Sequence, residues 1–425
     1  MKKYLMIFVG GILMLQPAQA DMYRALGAVY DANPVIGQQR AAVHAAMANL
    51  DLARTGYKPY LGVGANAGLA RTRVMGHDYN TVPTQFGVEF QQNVFQGFAT
   101  VARVKAAKGM LASQQALLYA TQQDVFLSAI NAYVNVLNAT EVLKLNTNNQ
   151  RVLAEYYDFV AAQKSVGNLT KSDVSAAMAR LESAKYHVIE ARAQYDNALE
   201  TFRRIYGDVA DEYGDVDVTP MRDIFPDNID DAQTVALRDH PALVALTAQE
   251  SAAREDIVVA RQTRMPSVDI RASAMQMDDI PVLDRVRDGR VGIYFSMPIY
   301  DRGTASANMD RVQFTVDGIG QKIVDARRAV VENLRQAWNL YDAQTAAITA
   351  ATARIRASQM AVDGISAEQR AGRRTVLDVL NARQDLLDAR VSLARARHSQ
   401  TSAFFAVLAA MGRLTPENLG LGTND

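Results

Sequence analysis

Apolar and polar residues alternate at every second position in two segments of the chain, residues 86–95 and residues 290–299. This period is that of a β-strand with one apolar and one polar face. Weaker alternation precedes each segment, at residues 61–71 and 267–277, so the pattern predicts four strands in two hairpins. The polar loops predicted within the hairpins are residues 72–83 and 278–289. The apolar face of the two stronger strands includes Val88, Phe90, Ile293 and Phe295.

Strands of about ten residues have the length needed to cross an outer membrane. A soluble β-sandwich with one buried face alternates in the same way, so the pattern alone leaves both alternatives open. Four strands are too few to close a barrel around side chains or a channel. If the apolar face meets lipid, the chain must therefore oligomerise, and a dimer would supply eight strands and a trimer twelve.

Long helices are predicted in two proline-free stretches, residues 84–219 and 299–415, which are rich in residues that favour helix. Between positions 99 and 164 only Gly109 interrupts the pattern, which predicts a single helix of roughly 100 Å. Helices of this length indicate a coiled-coil architecture. Heptad spacing of apolar residues supports it at Val174, Leu181 and Val188, and again at Val379, Leu386 and Leu393.

An internal duplication organises the chain. Gly167, Thr170 and Asp173 recur as Gly372, Thr375 and Asp378, all at one constant offset of 205. Such a coincidence of three different residue types is not expected from alanine-rich helices alone, and it predicts two tandem structural repeats. The predicted segments are repeat one at residues 21–207, a linker at 208–232, repeat two at 233–412, and a C-terminal tail at 413–425.

The first twenty residues have the features of a secretion signal. Lys2 and Lys3 precede an apolar run, and Ala18-Gln19-Ala20 forms a small-x-small cleavage pattern. Without this segment the chain carries 43 basic and 45 acidic residues, a balance that argues against a nucleic-acid partner. The chain contains no cysteine, which excludes both a lipoprotein anchor and disulfides. No further apolar run reaches 18 residues, so membrane entry would have to use strands.

Candidate chemical motifs are weak. The glycine-rich stretch at residues 62–68 lies inside a predicted strand and lacks the strand–glycines–helix order of a nucleotide-binding loop. The five histidines lack metal-ligand spacing, and the acidic linker lacks most positions of a calcium loop. No nucleophile, base and acid are arranged for catalysis. We therefore predict no catalytic residue, no metal site and no cofactor.

Residues 372–390, GRRTVLDVLNARQDLLDAR, and their weaker counterpart at 167–185 resemble the tip segments of the TolC family of outer-membrane channel proteins. The secretion signal, the duplication and the paired strands extend this resemblance to nearly the whole mature chain. The resemblance implies a mixed α and β fold in a homotrimer, with a long α-helical coiled-coil barrel and a shared membrane β-barrel of twelve strands. It places the protein in the cell outer membrane, in contact with lipid, with a large periplasmic part.

The function implied by the resemblance is that of an export duct without catalytic activity. Such a duct docks an inner-membrane transporter through a periplasmic adaptor (membrane fusion) protein. The second-repeat segment is similar to members that serve type I secretion, and drug-efflux members remain an alternative. The sequence does not name the cargo.

The resemblance also assigns roles at the periplasmic tip. Gly167 and Gly372 would reverse the chain, where glycine accommodates a positive φ, and Thr170 and Thr375 would cap the next helices. A bend within a continuous helix is the structural alternative. A latch would join Arg374 to Asp173 and Ser172, although the aromatic residue that assists in some relatives is replaced by Gln369 here. A surface ion pair without a gating role is the alternative for the latch.

The pore constriction implied by the resemblance falls on Asp378, Asn381 and Asp385. Relatives often carry a second acid where this chain has Asn381, so a strongly acidic double ring is not expected. With Asp388 these residues form one polar stripe on a helix, and an ordinary solvated face is the alternative. The corresponding positions of repeat one are Asp173, Ala176, Arg180 and Ser183, so the acidic charge is concentrated in repeat two.

Two other classes of function compete with the duct. A periplasmic coiled-coil adaptor or scaffold would share the long helices, but it would need a compact β-domain that four strands could hardly supply. A secreted enzyme would need a catalytic arrangement that the sequence lacks. Cell fractionation separates these classes, because only the duct requires detergent for release from the outer membrane.

Overall fold

The computed structural model describes residues 22–207 and 213–421. The predicted signal at residues 1–20 and the first part of the predicted linker, residues 208–212, lie outside the described residues. The mixed α and β fold with very long helices is confirmed. The α-helices are α1 (Met22–Ala32), α2 (Pro34–Thr55), α3 (Ala99–Ser165), α4 (Lys171–Tyr206), α5 (Ile229–Asp239), α6 (Pro241–Arg261), α7 (Thr304–Arg370) and α8 (Val376–Ala410).

The strands interrupt this helical series twice. Within the described residues, β1, β4, β5 and β6 form an antiparallel sheet in that order, and β2 pairs with β3 in a separate hairpin. The strands are β1 (Tyr60–Ala67), β2 (Ala70–Val74), β3 (His77–Thr81), β4 (Thr84–Gln96), β5 (Ser267–Ile280) and β6 (Leu283–Ser296).

Both halves of the described chain contain the same helices in the same order. The pairs α1 and α5 have 11 and 11 residues, α2 and α6 have 22 and 21, α3 and α7 have 67 and 67, and α4 and α8 have 36 and 35. The second series begins at Ile229, inside the predicted linker. The side chain of Asn228 explains this early start, because its Oδ1 accepts hydrogen bonds from the N–H groups of Asp230 and Asp231 at 3.1 and 2.9 Å.

The strand boundaries differ from those predicted. The predicted loop 72–83 contains most of the β2–β3 hairpin, and the predicted loop 278–289 is almost entirely strand. Polar pairs across the β5–β6 ladder explain this extension, because Arg285 contacts Asp278 and Arg287 donates to Gln276. At its other end β6 stops at Ser296, before the predicted residue 299, because Pro298 has no N–H to donate to a ladder.

The described chain divides into two compact units. One contains the residues up to Ile36, Gln122–Ala236 and the chain from Glu332 onward, and the other contains Gly37–Thr121 and Leu237–Val331. The second unit carries the sheet. In the first unit the predicted C-terminal tail is partly in the core, because Leu414 is fully buried. No helix in the described ranges is both long enough and apolar enough to span a membrane.

Candidate functional site

Two turns of the same construction connect α3 to α4 and α7 to α8. Gly167 and Gly372 have φ values of +82° and +74°, a backbone region that favours glycine. In the first turn the N–H of Asn168 donates to the carbonyl of Gln163 at 3.0 Å, and the N–H of Arg373 makes the equivalent bond in the second turn at 2.9 Å. These six-to-one bonds satisfy terminal helix carbonyls and end the helix, so the chain does not continue as one bent helix.

A reciprocal cap starts the helix after each turn. The hydroxyl of Thr375 accepts from the N–H of Asp378 at 3.1 Å, and the carboxylate of Asp378 accepts from the N–H of Thr375 at 2.9 Å. Thr170 and Asp173 repeat both bonds, at 3.2 and 2.9 Å. Each cap satisfies two backbone donors at a helix start, so both turns stop one helix and begin the next within a few residues.

The three predicted constriction residues lie on the exposed side of α8 but have different surroundings. The N–H and hydroxyl of Thr375, with a smaller contribution from Arg374, hold the pKa of Asp378 below its usual range, so this carboxylate is ionised at neutral pH. The Oδ1 of Asn381 accepts a hydrogen bond from Nη2 of Arg180 on α4 at 2.7 Å. Asp385 is exposed. The resulting stripe therefore combines two carboxylates with one bridged amide.

The structure does not bring the predicted latch partners together. Nε of Arg374 lies 2.9 Å from Oε2 of Glu368, and both side chains are half exposed. Asp173 is used by its own helix cap, and Ser172 is exposed beside it. Glu368 is favoured because it lies in the last turns of α7, six residues before Arg374 across the tight glycine turn.

Behind the tip turns, a hydrophobic cluster packs α3, α4 and α8 together. Tyr156 and Val160 from α3, Leu181 from α4 and Leu380 from α8 are buried in it. The guanidinium of Arg383 lies 5.3 Å from the centroid of the Tyr156 ring, and burial raises the pKa of this tyrosine. Neither the Tyr156–Arg383 contact nor the bond between Arg180 and Asn381 was predicted from the sequence. Only the repeat offset singled out Arg180, as the basic counterpart of Asp385.

The sheet presents one apolar face. Direct partners across all four strands form a row, and the central row is Leu61, Phe90, Ala272 and Val291. Val88 lies in the next row, and Ile293 and Phe295 continue the face along β6. The predicted lipid-facing residues thus share one side of the sheet. Ile293 and Phe295 are 76% and 68% exposed, so no other part of the described chain covers them.

The opposite face of the sheet is polar. Nδ2 of Asn93 donates to Oδ1 of Asp269 at 2.9 Å, and the guanidinium of Arg271 lies 4.9 Å from the ring centroid of Tyr294. Asn93 and Asp269 are direct partners across β4 and β5, as are Asp269 and Tyr294 across β5 and β6. A sheet with one apolar and one hydrogen-bonded polar face is suited to a boundary between a hydrophobic and an aqueous environment.

No group of three or more His, Asp or Glu side chains that could hold a metal occurs within residues 22–207 and 213–421.

Comparison with known proteins agrees with this arrangement. The family model "Outer membrane efflux protein" matches residues 26–208 and 234–413. The chain is 29% identical to the outer membrane efflux protein BepC of Brucella suis biovar 1 (strain 1330), over 97% of this chain and 90% of that protein. It is 26% identical to the outer membrane protein TolC of Escherichia coli (strain K12), over 99% and 88%. The CmeC outer membrane channel of Campylobacter jejuni matches with a TM-score of 0.82 at 16% identity, over 93% and 86%.

The fold, the two-faced sheet and these matches define an outer-membrane export channel protein with a periplasmic helical part, and not an enzyme. The chain belongs to the outer membrane efflux protein family. The two matched segments nearly coincide with the two repeats predicted from the sequence. Family membership favours the channel over the adaptor or scaffold alternative.

Proposed function

We propose that three copies of this chain form one export duct, gated at the helix tips, that passes substrates across the periplasm and the outer membrane. The observation that carries this proposal is the continuous apolar face of the four-stranded sheet, with β1 and β6 as its edge strands. Edge strands have backbone groups free to pair with another copy. The polar face would then line the lumen and the apolar face would meet lipid.

Strand number favours a trimer over a dimer. An eight-stranded barrel has an interior just wide enough to be filled by its own side chains. Two copies would therefore supply a closed barrel with little room for cargo, whereas twelve strands from three copies would leave a passage. The same symmetry would bring three copies of α8, with the stripe of Asp378, Asn381 and Asp385, around one axis.

A duct of this kind has no energy source of its own, so it requires partners. The proposed partners are a periplasmic adaptor (membrane fusion) protein and an inner-membrane transporter, with outer-membrane lipid around the sheet. The relative BepC is named an efflux protein, which supports export by efflux, and type I secretion remains a second possible use. The helix tips would form the periplasmic entrance at which the transporter complex acts.

The gate is proposed to use Arg374. In the described chain it pairs with Glu368, and both side chains are half exposed. Such an exposed pair is weak, so Arg374 can exchange Glu368 for Asp173 and Ser172 at little cost when the tips draw together. In a trimer this exchange would occur three times, so even a small preference of Arg374 for its new partners would shift the populations of the gate.

Recording from planar lipid bilayers tests the duct and its gate together. Purified wild-type protein is expected to form discrete ion channels, and Arg374→Ser is expected to spend more time open because the latch is lost. Arg151→Ser is the matched control, because Arg151 pairs with Glu155 on its own helix. Folded protein that gives no channels would exclude the duct. Channels with the same open fraction in all three proteins would exclude the Arg374 gate.

A further inference from the structure

A side-chain hydrogen bond joins the two repeats directly at the tip. Nη2 of Arg180, on α4 of repeat one, donates to Oδ1 of Asn381, on α8 of repeat two, at 2.7 Å across 201 residues of sequence. Asn381 is exposed and lies in the polar stripe of α8, so Arg180 reaches this stripe from the neighbouring helix. The contact therefore places a guanidinium beside the residues proposed to narrow the duct.

The packing behind the contact fixes this orientation. Leu181, which follows Arg180, is buried with Leu380, which precedes Asn381, in the cluster that joins α4 to α8. On the other side of α8 the guanidinium of Arg383 lies against the ring of Tyr156. With its neighbours held on both sides, Asn381 is turned toward α4. The packed helices thus hold Asn381 at the position that Arg180 reaches.

The contact matters because it brings the positive charge of Arg180 to the acidic stripe. Arg180 occupies the repeat-one position that corresponds to Asp385 in repeat two. An arginine keeps its positive charge at any pH at which the protein is folded. In a symmetric trimer, three copies of Arg180 would alternate with three copies of Asp385 at matching positions. The positive charges would offset carboxylates that otherwise make the stripe acidic.

On the basis of the proposed duct, we infer that Arg180 determines the charge selectivity of its constriction. It offsets one of the two carboxylate charges that each chain contributes to the stripe, so that anionic cargo is excluded less strongly, and its bond to Asn381 ties the helical hairpins of the two repeats together. The first role depends on the charge of Arg180 and the second on the hydrogen bond. Two kinds of variant therefore separate them.

The ratio of K⁺ to Cl⁻ permeability, measured from reversal potentials in a KCl gradient, tests the charge. Arg180→Gln is expected to raise this ratio by roughly two- to fivefold, the range that an exposed charge interaction supports. Arg180→Lys, which keeps the charge, is expected to leave the ratio close to wild type. Arg192→Gln is the matched control, because Arg192 also lies on α4 and pairs with Asp196 on the same helix.

The hydrogen bond has its own readout. Asn381→Ala removes the acceptor without changing any charge, so it is expected to increase the open fraction. If Arg180→Gln has the same permeability ratio as wild type and Arg192→Gln, Arg180 does not set the charge selectivity. If Asn381→Ala has the wild-type open fraction, the hydrogen bond does not hold the two hairpins together. Both results presuppose wild-type channels. Their absence overturns the proposed function itself, and the inference with it.

Discussion

Replacing Phe90 by lysine is expected to destabilise the membrane-inserted protein by about 2–4 kcal/mol per chain, the cost of a lysine on the lipid face near the bilayer centre. Phe90 lies in the central row of the apolar face, between Leu61 on β1 and Ala272 on β5. A charge at this position would have to leave water when the sheet enters lipid. Chemical denaturation of protein refolded into lipid vesicles measures the change.

The neighbouring residue on the same strand supplies the control. Gln91 points to the opposite, polar face, and its partner on β5 is Arg271. Gln91→Lys therefore introduces the same side chain on the same strand and is expected to cost at most about 1 kcal/mol, from repulsion by Arg271. Phe90→Leu measures the part of the destabilisation that comes from losing the aromatic ring without adding a charge. Equal costs for the two lysine variants would show that the apolar face does not meet lipid.

Truncating Leu380 is the second change with a large expected effect. This side chain is 2% exposed in the cluster that joins α3, α4 and α8 behind the tip turns. Leu380→Ala is expected to cost about 2–5 kcal/mol, because it removes buried contacts and leaves a cavity. Since the same cluster holds the tip helices together, amide hydrogen exchange at the start of α8 should also become faster. Denaturation and hydrogen exchange measure the two effects.

Leu377 provides a matched control on the same helix. It is 51% exposed, so Leu377→Ala makes the same chemical change without opening a cavity and is expected to stay within about 0.5 kcal/mol of wild type. A similar loss of stability in both variants would show that the cluster does not hold the tip. Faster exchange in both would mean that the effect comes from the helix start and not from the core.

The turn construction could be predicted because it depends on local rules. The resemblance assigned Gly167 to a chain reversal and Thr170 to a helix cap, and the rules for glycine at a helix end and for threonine three residues before an aspartate act over only a few residues. The same rules apply at Gly372 and Thr375. The interiors of the long helices could be predicted equally well, because long proline-free stretches rich in helix-favouring residues leave few alternatives to a helix. Even Gly109, inside α3, does not break the helix. It permits a close approach, since a Cβ there would lie 3.0 Å from that of Ala252.

The ends of the strands were harder to predict, because the hydropathy of one segment does not show which residues it pairs with on the neighbouring strand. Residues 278–289 contain six charged residues and Pro281, which indicates a loop when the segment is considered alone. The ladder continues because Asp278 and Arg285 are directly opposed and form an ion pair. Each member of this pair lies on a different strand, so the pattern of one strand alone does not predict the pair. The apolar rows, by contrast, follow from alternation once the register is known.

The side-chain contacts between helices could not be predicted from the sequence. The bond from Arg180 to Asn381 and the contact of Arg383 with Tyr156 depend on how α3, α4 and α8 are rotated about their axes, which packing determines. Family resemblance paired Arg374 with Asp173, whereas the described chain pairs it with Glu368. A motif locates such a site, and only the structure identifies which side chains meet.

A redox measurement on Asp385→Cys tests whether three copies of this chain form a duct narrowed at the α8 stripe. The chain has no cysteine of its own, so the new thiol can pair only with a copy from another subunit. Single-channel recording under oxidation is expected to show a fall in conductance that a reductant reverses, together with covalent dimers on a denaturing gel. Channels that keep full conductance under oxidation, with every thiol still free, would exclude a constriction formed by three copies of the α8 stripe.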